Sequence, residues 1–155
     1  MRGGRRRSPR RSATWPSCCT SWARWRSATL DLTVAYHDAC HLGHAQGIRT
    51  QPRSLLRDIP ALTLREITDP EICCGSAGIW NVLNPEPAAA LGDLKAKNVL
   101  ATGASLLVTA NPGCLMQIAA AAQRQGGQIA LAHTAQVLDA SIRNLGAPAL
   151  LSPPG

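Results

Sequence analysis

Aromatic residues are scarce: they make up 3% of the 155 residues, with no phenylalanine and one tyrosine. Three of the four tryptophans fall in the first 25 positions, so the rest of the chain has little surface on which bases can stack. Acidic residues are missing from residues 1–30, which carry eight arginines. Residues 31–155 carry eight basic and nine acidic side chains, a net of −1. The formal charge of +7 therefore belongs to the head and not to the body, which argues against a nucleic-acid-binding domain. No uncharged apolar run approaches the ~18 residues that cross a bilayer. The N-terminus has no apolar stretch ahead of a small-residue cleavage site, and its twin arginines have none behind them. A cytoplasmic, thiol-reducing setting is expected. No Cys-x-x-Cys pair and no glycine loop of a nucleotide-binding kind is present.

The head, "MRGGRRRSPRRSATWPSCCTSWARWRSATLD", shows no apolar period. It reads as a basic disordered tail, a transit-like segment or an out-of-frame product. The last reading has a specific basis. A GC-rich back-translation of "ATWPSCCTSWA", read from the third base, spells Asp-Val-Ala-Glu-Leu-Leu-His-Glu-Leu-Gly, an amphipathic helix. Cys18 and Cys19 are therefore not site candidates. Residues 31–146 are expected to form the domain, and 147–155 a tail.

Within 31–146, strand-like and helix-like stretches alternate. "LTVAYH" (32–37), "ALTLREI" (61–67), "SLLVTA" (105–110) and "QIALA" (128–132) have the composition of strands. Helices are predicted over 51–60, 78–84, 85–103, 114–127 and 134–146. The helix over 85–103 has prolines at its start, lysines late and Gly103 at its end. This order predicts a three-layer α/β domain: a mostly parallel four-stranded sheet with helices on both faces. Such sheets bind ligands beyond the carboxyl ends of their strands.

The cysteines fall where that rule matters. Cys40 follows the first strand, Cys73 and Cys74 follow the second, and Cys114 follows the third. Three separate stretches thus deliver four thiols to one rim of the sheet. Adjacent side chains diverge on a strand or a helix, so the doublet reaches one object only from an irregular turn. Gly75 permits such a turn, and Pro112-Gly113 make another before Cys114. A helix starting at Cys114 favours the thiolate, the form in which cysteine binds metal. Structural zinc prefers Cys-x2-4-Cys pairs, whereas several irons can accept neighbouring thiols at different corners. Zinc, an iron–sulfur cluster, a redox dithiol and four inert thiols are the candidates, with the cluster favoured.

The pattern Cys40, 32 residues, Cys73-Cys74-Gly75, 38 residues, Cys114 resembles the cysteine-rich (CCG) domain found in heterodisulfide reductases, lactate-utilisation iron–sulfur proteins and anaerobic glycerol-3-phosphate dehydrogenases. "VAYHDACHLGHAQGIRTQPRSLL", "CCGSAGIWNVLNPEPAAALGDLKAKNVLATGA" and "NPGCLMQIAA" are similar to the iron–sulfur subunit of glycolate oxidase. The resemblance implies that Cys40, Cys73, Cys74 and Cys114 ligate an iron–sulfur cluster of 4Fe-4S type. It implies an electron-transfer subunit of a 2-hydroxy-acid dehydrogenase complex, without catalysis on the substrate, which relays electrons from a partner subunit carrying FAD. The family motif often ends Cys-x-x-Cys, but here it reads Cys114-Leu-Met-Gln117, so the fifth thiolate is replaced. Four thiolates, or ligation completed by another group, remain open. The full-length subunit also carries a ferredoxin-like module and a first cysteine-rich domain, so this chain corresponds to its last third.

Gly75, Gly113, His41 and Gln117 are expected to surround the ligands, with Gln117 one turn from Cys114. His37 and His44 are read as polar loop residues, His133 as structural, Asp38 as a cap of the turn before Cys40, and Asn111 as shaping its own turn. Trp80 is assigned to core or interface. The alternatives are a cluster-free interaction domain and a basic nucleic-acid-binding protein.

Overall fold

The computed structural model describes residues 28–151. Expectations for the arginine-rich head, with Cys18 and Cys19, lie outside the described residues. Four parallel strands, β1 (Leu32–His37), β2 (Leu62–Arg65), β3 (Leu106–Thr109) and β4 (Ala130–His133), form one sheet in the order β2-β1-β3-β4. The helices are α1 (Cys40–Gly43), α2 (Thr50–Arg57), α3 (Trp80–Leu83), α4 (Pro85–Leu100), α5 (Pro112–Arg124), α6 (Thr134–Ile142) and α7 (Pro148–Leu151).

The central strands β1 and β3 are apolar on both faces because both faces are covered. Leu32, Val34 and Tyr36 point to one side, where they meet Leu56 of α2 and Val137 and Ala140 of α6. Ala35 and Leu107 point to the other, against Ala96 and Val99 of α4 and Ile118 and Ala121 of α5. The expected three-layer α/β architecture is the one observed. Chain direction reverses at the centre: β1 leads outward to β2, and β3 leads outward the other way to β4. The loops after β1 and β3 therefore diverge at the carboxyl rim, the usual ligand position in such sheets.

Local differences have local causes. Helix α1 begins at Cys40 and runs only four residues, too few for a period to register. Helix α5 starts at Pro112, two residues before the predicted start, because a proline is well suited to the first turn. Pro148–Leu151 is helical where a tail is expected, since Leu150 is drawn into the core beside α6. Among the described residues, no helix is long and apolar enough to cross a membrane.

Candidate metal centre

The four thiols meet at the carboxyl rim. The Cys74 and Cys114 sulfurs lie 3.1 Å apart and share one hydrogen bond. Both side chains are buried, while Cys40 and Cys73 are half-buried and interact with each other. Cys40 and Cys73 also act electrostatically on Cys114, so the four thiols are neighbours at this rim, and none is in a disulfide.

Each thiol is delivered by a locally dictated turn. Gly75 has φ +86°, where an L side chain is strained, and a Cβ there would collide with the Ala88 carbonyl of α4. Its backbone N–H donates to Cys73 Sγ at 3.4 Å. Gly113 lies against this loop, since a Cβ there would stand 2.8 Å from Ser76 Oγ. Asn111 caps α5, its Oδ1 accepting from the Cys114 N–H at 3.2 Å. The Asn111 amide meets His41 Nδ1 at 3.4 Å, so the loop of Cys40 is tied to the turn of Cys114. Beneath the doublet, the fully buried Lys95 of α4 donates to the Asp69 carbonyl at 2.8 Å and fixes the approach to the loop.

The electrostatics separate the thiols. The shared hydrogen bond with Cys114 holds the Cys74 thiol well below the ordinary range, with the nearby His37 imidazole acting in the same direction. The same bond, together with burial, pushes Cys114 up. Burial, then the neighbouring Cys73 side chain, raises Cys40 to about 11. Cys74 is thus favoured as a thiolate, and metal must displace the protons that Cys40 and Cys114 hold. Two thiolates bound tetrahedrally at ~2.3 Å stand about 3.8 Å apart, so a slight parting of Cys74 and Cys114 admits an ion. Soft thiolate donors in small-residue surroundings suit iron, zinc or an iron–sulfur cluster.

The sequence profile of the cysteine-rich CCG domain matches residues 34–119. The chain belongs to the CCG cysteine-rich domain family. It is similar to a probable glycolate oxidase iron-sulfur subunit of Bacillus subtilis, at 40% identity over 107 residues, 68% of this chain and 24% of the relative. Lactate utilization protein A 2 of Bacillus cereus is 34% identical over 114 residues, 74% of this chain and 47% of the relative. An uncharacterized iron-sulfur protein of Methanococcus maripaludis is 44% identical over 85 residues, 55% of this chain and 17% of the relative. The chain spans from about a sixth to a half of the length of these relatives.

Not every residue expected at the CCG site does what the sequence predicts. Gln117 turns its amide to the protein: Nε2 donates to Ala88 O at 3.1 Å, and Oε1 accepts from Asn81 at 3.4 Å. It ties α5 to α4 and α3 and makes no hydrogen bond to sulfur. Asp38 does not cap the turn before Cys40, because it forms a two-bond ion pair with Arg53 at 2.7 and 2.8 Å. His44 is exposed at the end of α1. His133 is structural, capping α6 by accepting from Ala135 N–H.

His37 is the residue the sequence reading misplaces. It is not a solvated loop residue but the last residue of β1, 1% exposed, and its ring interacts with Cys74 while neither nitrogen makes a hydrogen bond of good geometry among the described residues. Its ligand atom and the sulfurs of Cys74 and Cys114 all lie within 4.8 Å of one another. Strand alternation carries the signal. His37 shares the face of Ala35, and that face is the one on which Cys74 and Cys114 pack.

Proposed function

We propose that this CCG domain holds an iron–sulfur cluster, of 4Fe-4S type, on Cys40, Cys73, Cys74 and Cys114. It serves as an electron-transfer element of a cytoplasmic 2-hydroxy-acid (glycolate) dehydrogenase complex. The carrying observation is the gathering of four free thiols from three loops at the carboxyl rim over β1 and β3. When bound, the cluster accepts and passes on single electrons. The protein's part is to hold four sulfurs in place, to keep Cys74 and Cys114 from water, and to leave Cys40 and Cys73 nearer the surface. Substrate oxidation is assigned to a partner subunit carrying FAD.

An exposed apolar rim beside the site supports the idea of a covering partner. Ile79, Val82 and Leu83 lie one helical turn apart around α3, with exposures of 74%, 75% and 69%. The names of the relatives support the glycolate or lactate assignment.

Iron and sulfide analysis with EPR on anaerobically purified full chain tests the proposal. A cluster signal is expected, lost on Cys73→Ala or Cys74→Ala and kept on Cys18→Ala. Stoichiometric protein without iron or sulfide, before and after anaerobic reconstitution, leaves only the cluster-free interaction domain.

A further inference from the structure

Three buried polar side chains at the sheet's carboxyl rim, His37, Thr109 and Thr134, make no hydrogen bond of good geometry among the described residues, and His37 is the one facing the thiols, where it interacts with Cys74. A neutral imidazole has one N–H donor and one lone pair. Burying both without partners costs about 1–3 kcal/mol per group in an otherwise dry setting. A strand-end histidine in an apolar layer therefore marks a place where something else satisfies the ring.

The donor chemistry says what. Gln117, one turn along α5 from Cys114, has its amide held by Ala88 and Asn81. No fifth sulfur reaches the site from α5. At the end of β1, His37 presents a nitrogen to Cys74 and Cys114 instead. A tetrahedral ion with thiolates at ~2.3 Å and imidazole at ~2.0–2.1 Å sets its donors about 3.5–3.8 Å apart. His37, Cys74 and Cys114, mutually within 4.8 Å and all buried, need only small shifts to do so, the two sulfurs parting from 3.1 Å.

We propose that His37 is a metal ligand of this site, its imidazole binding in the same metal region as Cys74 and Cys114. This rests on the cluster reading above. The second ring nitrogen would then be oriented by Thr109, the register partner of His37 on β3, whose buried hydroxyl likewise makes no hydrogen bond of good geometry among the described residues. Binding through one nitrogen and a hydrogen bond through the other is the usual state of a metal-bound histidine.

The test is pulsed EPR on the reconstituted, reduced full chain carrying 15N-histidine. A directly bound histidine nitrogen is expected, with its coupling changing between 14N and 15N protein. The coupling should vanish in His37→Gln, which keeps the side chain's bulk, and persist in His44→Ala. A full cluster signal with no histidine coupling overturns the proposal, as does a coupling that survives His37→Gln. If His37→Gln fails to fold, the coupling must survive His41→Ala, His44→Ala and His133→Ala, and its loss in any of these overturns the proposal. Should the chain take up no iron or sulfide, the iron–sulfur reading fails, and cobalt(II) alone decides the role of His37. Cobalt bound with thiolate charge-transfer absorption, and bound at least about tenfold more weakly by His37→Gln, supports the ligand role. Equal binding, or none, overturns it.

Discussion

Arg53 keeps 12% of its side chain exposed while it pairs with Asp38, at 8%, and reaches Glu66 at 2.9 Å. Its guanidinium also lies 5.2 Å from the Tyr36 ring centre. Asp38 is two residues before Cys40, so this ion pair sets the exit of the chain from β1. Arg53→Met leaves the Asp38 carboxylate buried and unpaired, which costs about 3–5 kcal/mol. Urea unfolding should show that loss, and Arg53→Lys should recover only part of it because an ammonium lacks the two-pronged fork. An unchanged midpoint in Arg53→Met would mean that the pair contributes nothing. Tyr36 gives a pH signature at the same place. Burial, with Asp38 nearby, raises its phenol to about 12 from an ordinary 10. The folded state then holds the proton longer than the unfolded one. The resulting stability is complete below pH 10 and is lost as pH climbs towards 12. Between pH 9.5 and 11.5, Tyr36→Phe should lose less stability than wild type. Cys40 acts in the same direction in both proteins and cancels in the comparison.

At the scale of elements, the site depends on how turns join helices. Asn111 caps α5 and touches His41, so Asn111→Ala should cost about 1 kcal/mol as a lost cap and also loosen Cys40 against Cys114. Asn111→Asp keeps the cap and separates the two effects: stability should return while metal retention stays impaired. Retention by both variants equal to wild type would limit Asn111 to capping. Much of this layer is legible in the sequence. Strands β1 and β3 are short β-branched and leucine runs, and α4 carries its own start and stop residues. The thiol convergence follows from parallel topology alone, because every strand of such a sheet ends at the same rim. What escapes has physical reasons. Helix α1 has one turn and no period. Helix α7 is equally short, and the prolines around it read as breakers. The Arg53–Asp38 pair joins positions 15 apart, which no helix or strand spacing encodes. His37 is different, since its place on the buried face of β1 follows from counting two residues on from Ala35. Its polar character outweighs that count when the sequence is read residue by residue.

At the scale of the whole molecule, metal binding and folding draw on the same contacts. The thiols come from three loops that only the finished sheet brings together, so the unfolded chain has no comparable site. A ligand that binds only the folded form adds about 2.7 kcal/mol at a hundredfold excess over its dissociation constant. For a domain of this size that is roughly a 10 °C rise in Tm. Anaerobic reconstitution should produce a rise of that order, and a chelator should reverse it. Cys74→Ala should abolish the shift, because Cys74 lies at the buried centre of the thiol cluster. Gly75→Ala offers the sharper contrast, since no sulfur is removed. The added Cβ strikes the Ala88 carbonyl, which forces the CCG loop off α4 and moves two ligands together. Its apo protein should be destabilised by a few kcal/mol, as expected for a strained backbone position, and its Tm should barely respond to iron and sulfide. A Gly75→Ala chain that melts lower but gains the full shift on loading would show that the loop reaches the metal without its seat on α4. The packing of the CCG turn on α4 would then serve stability alone, and the geometry of the site would not depend on it.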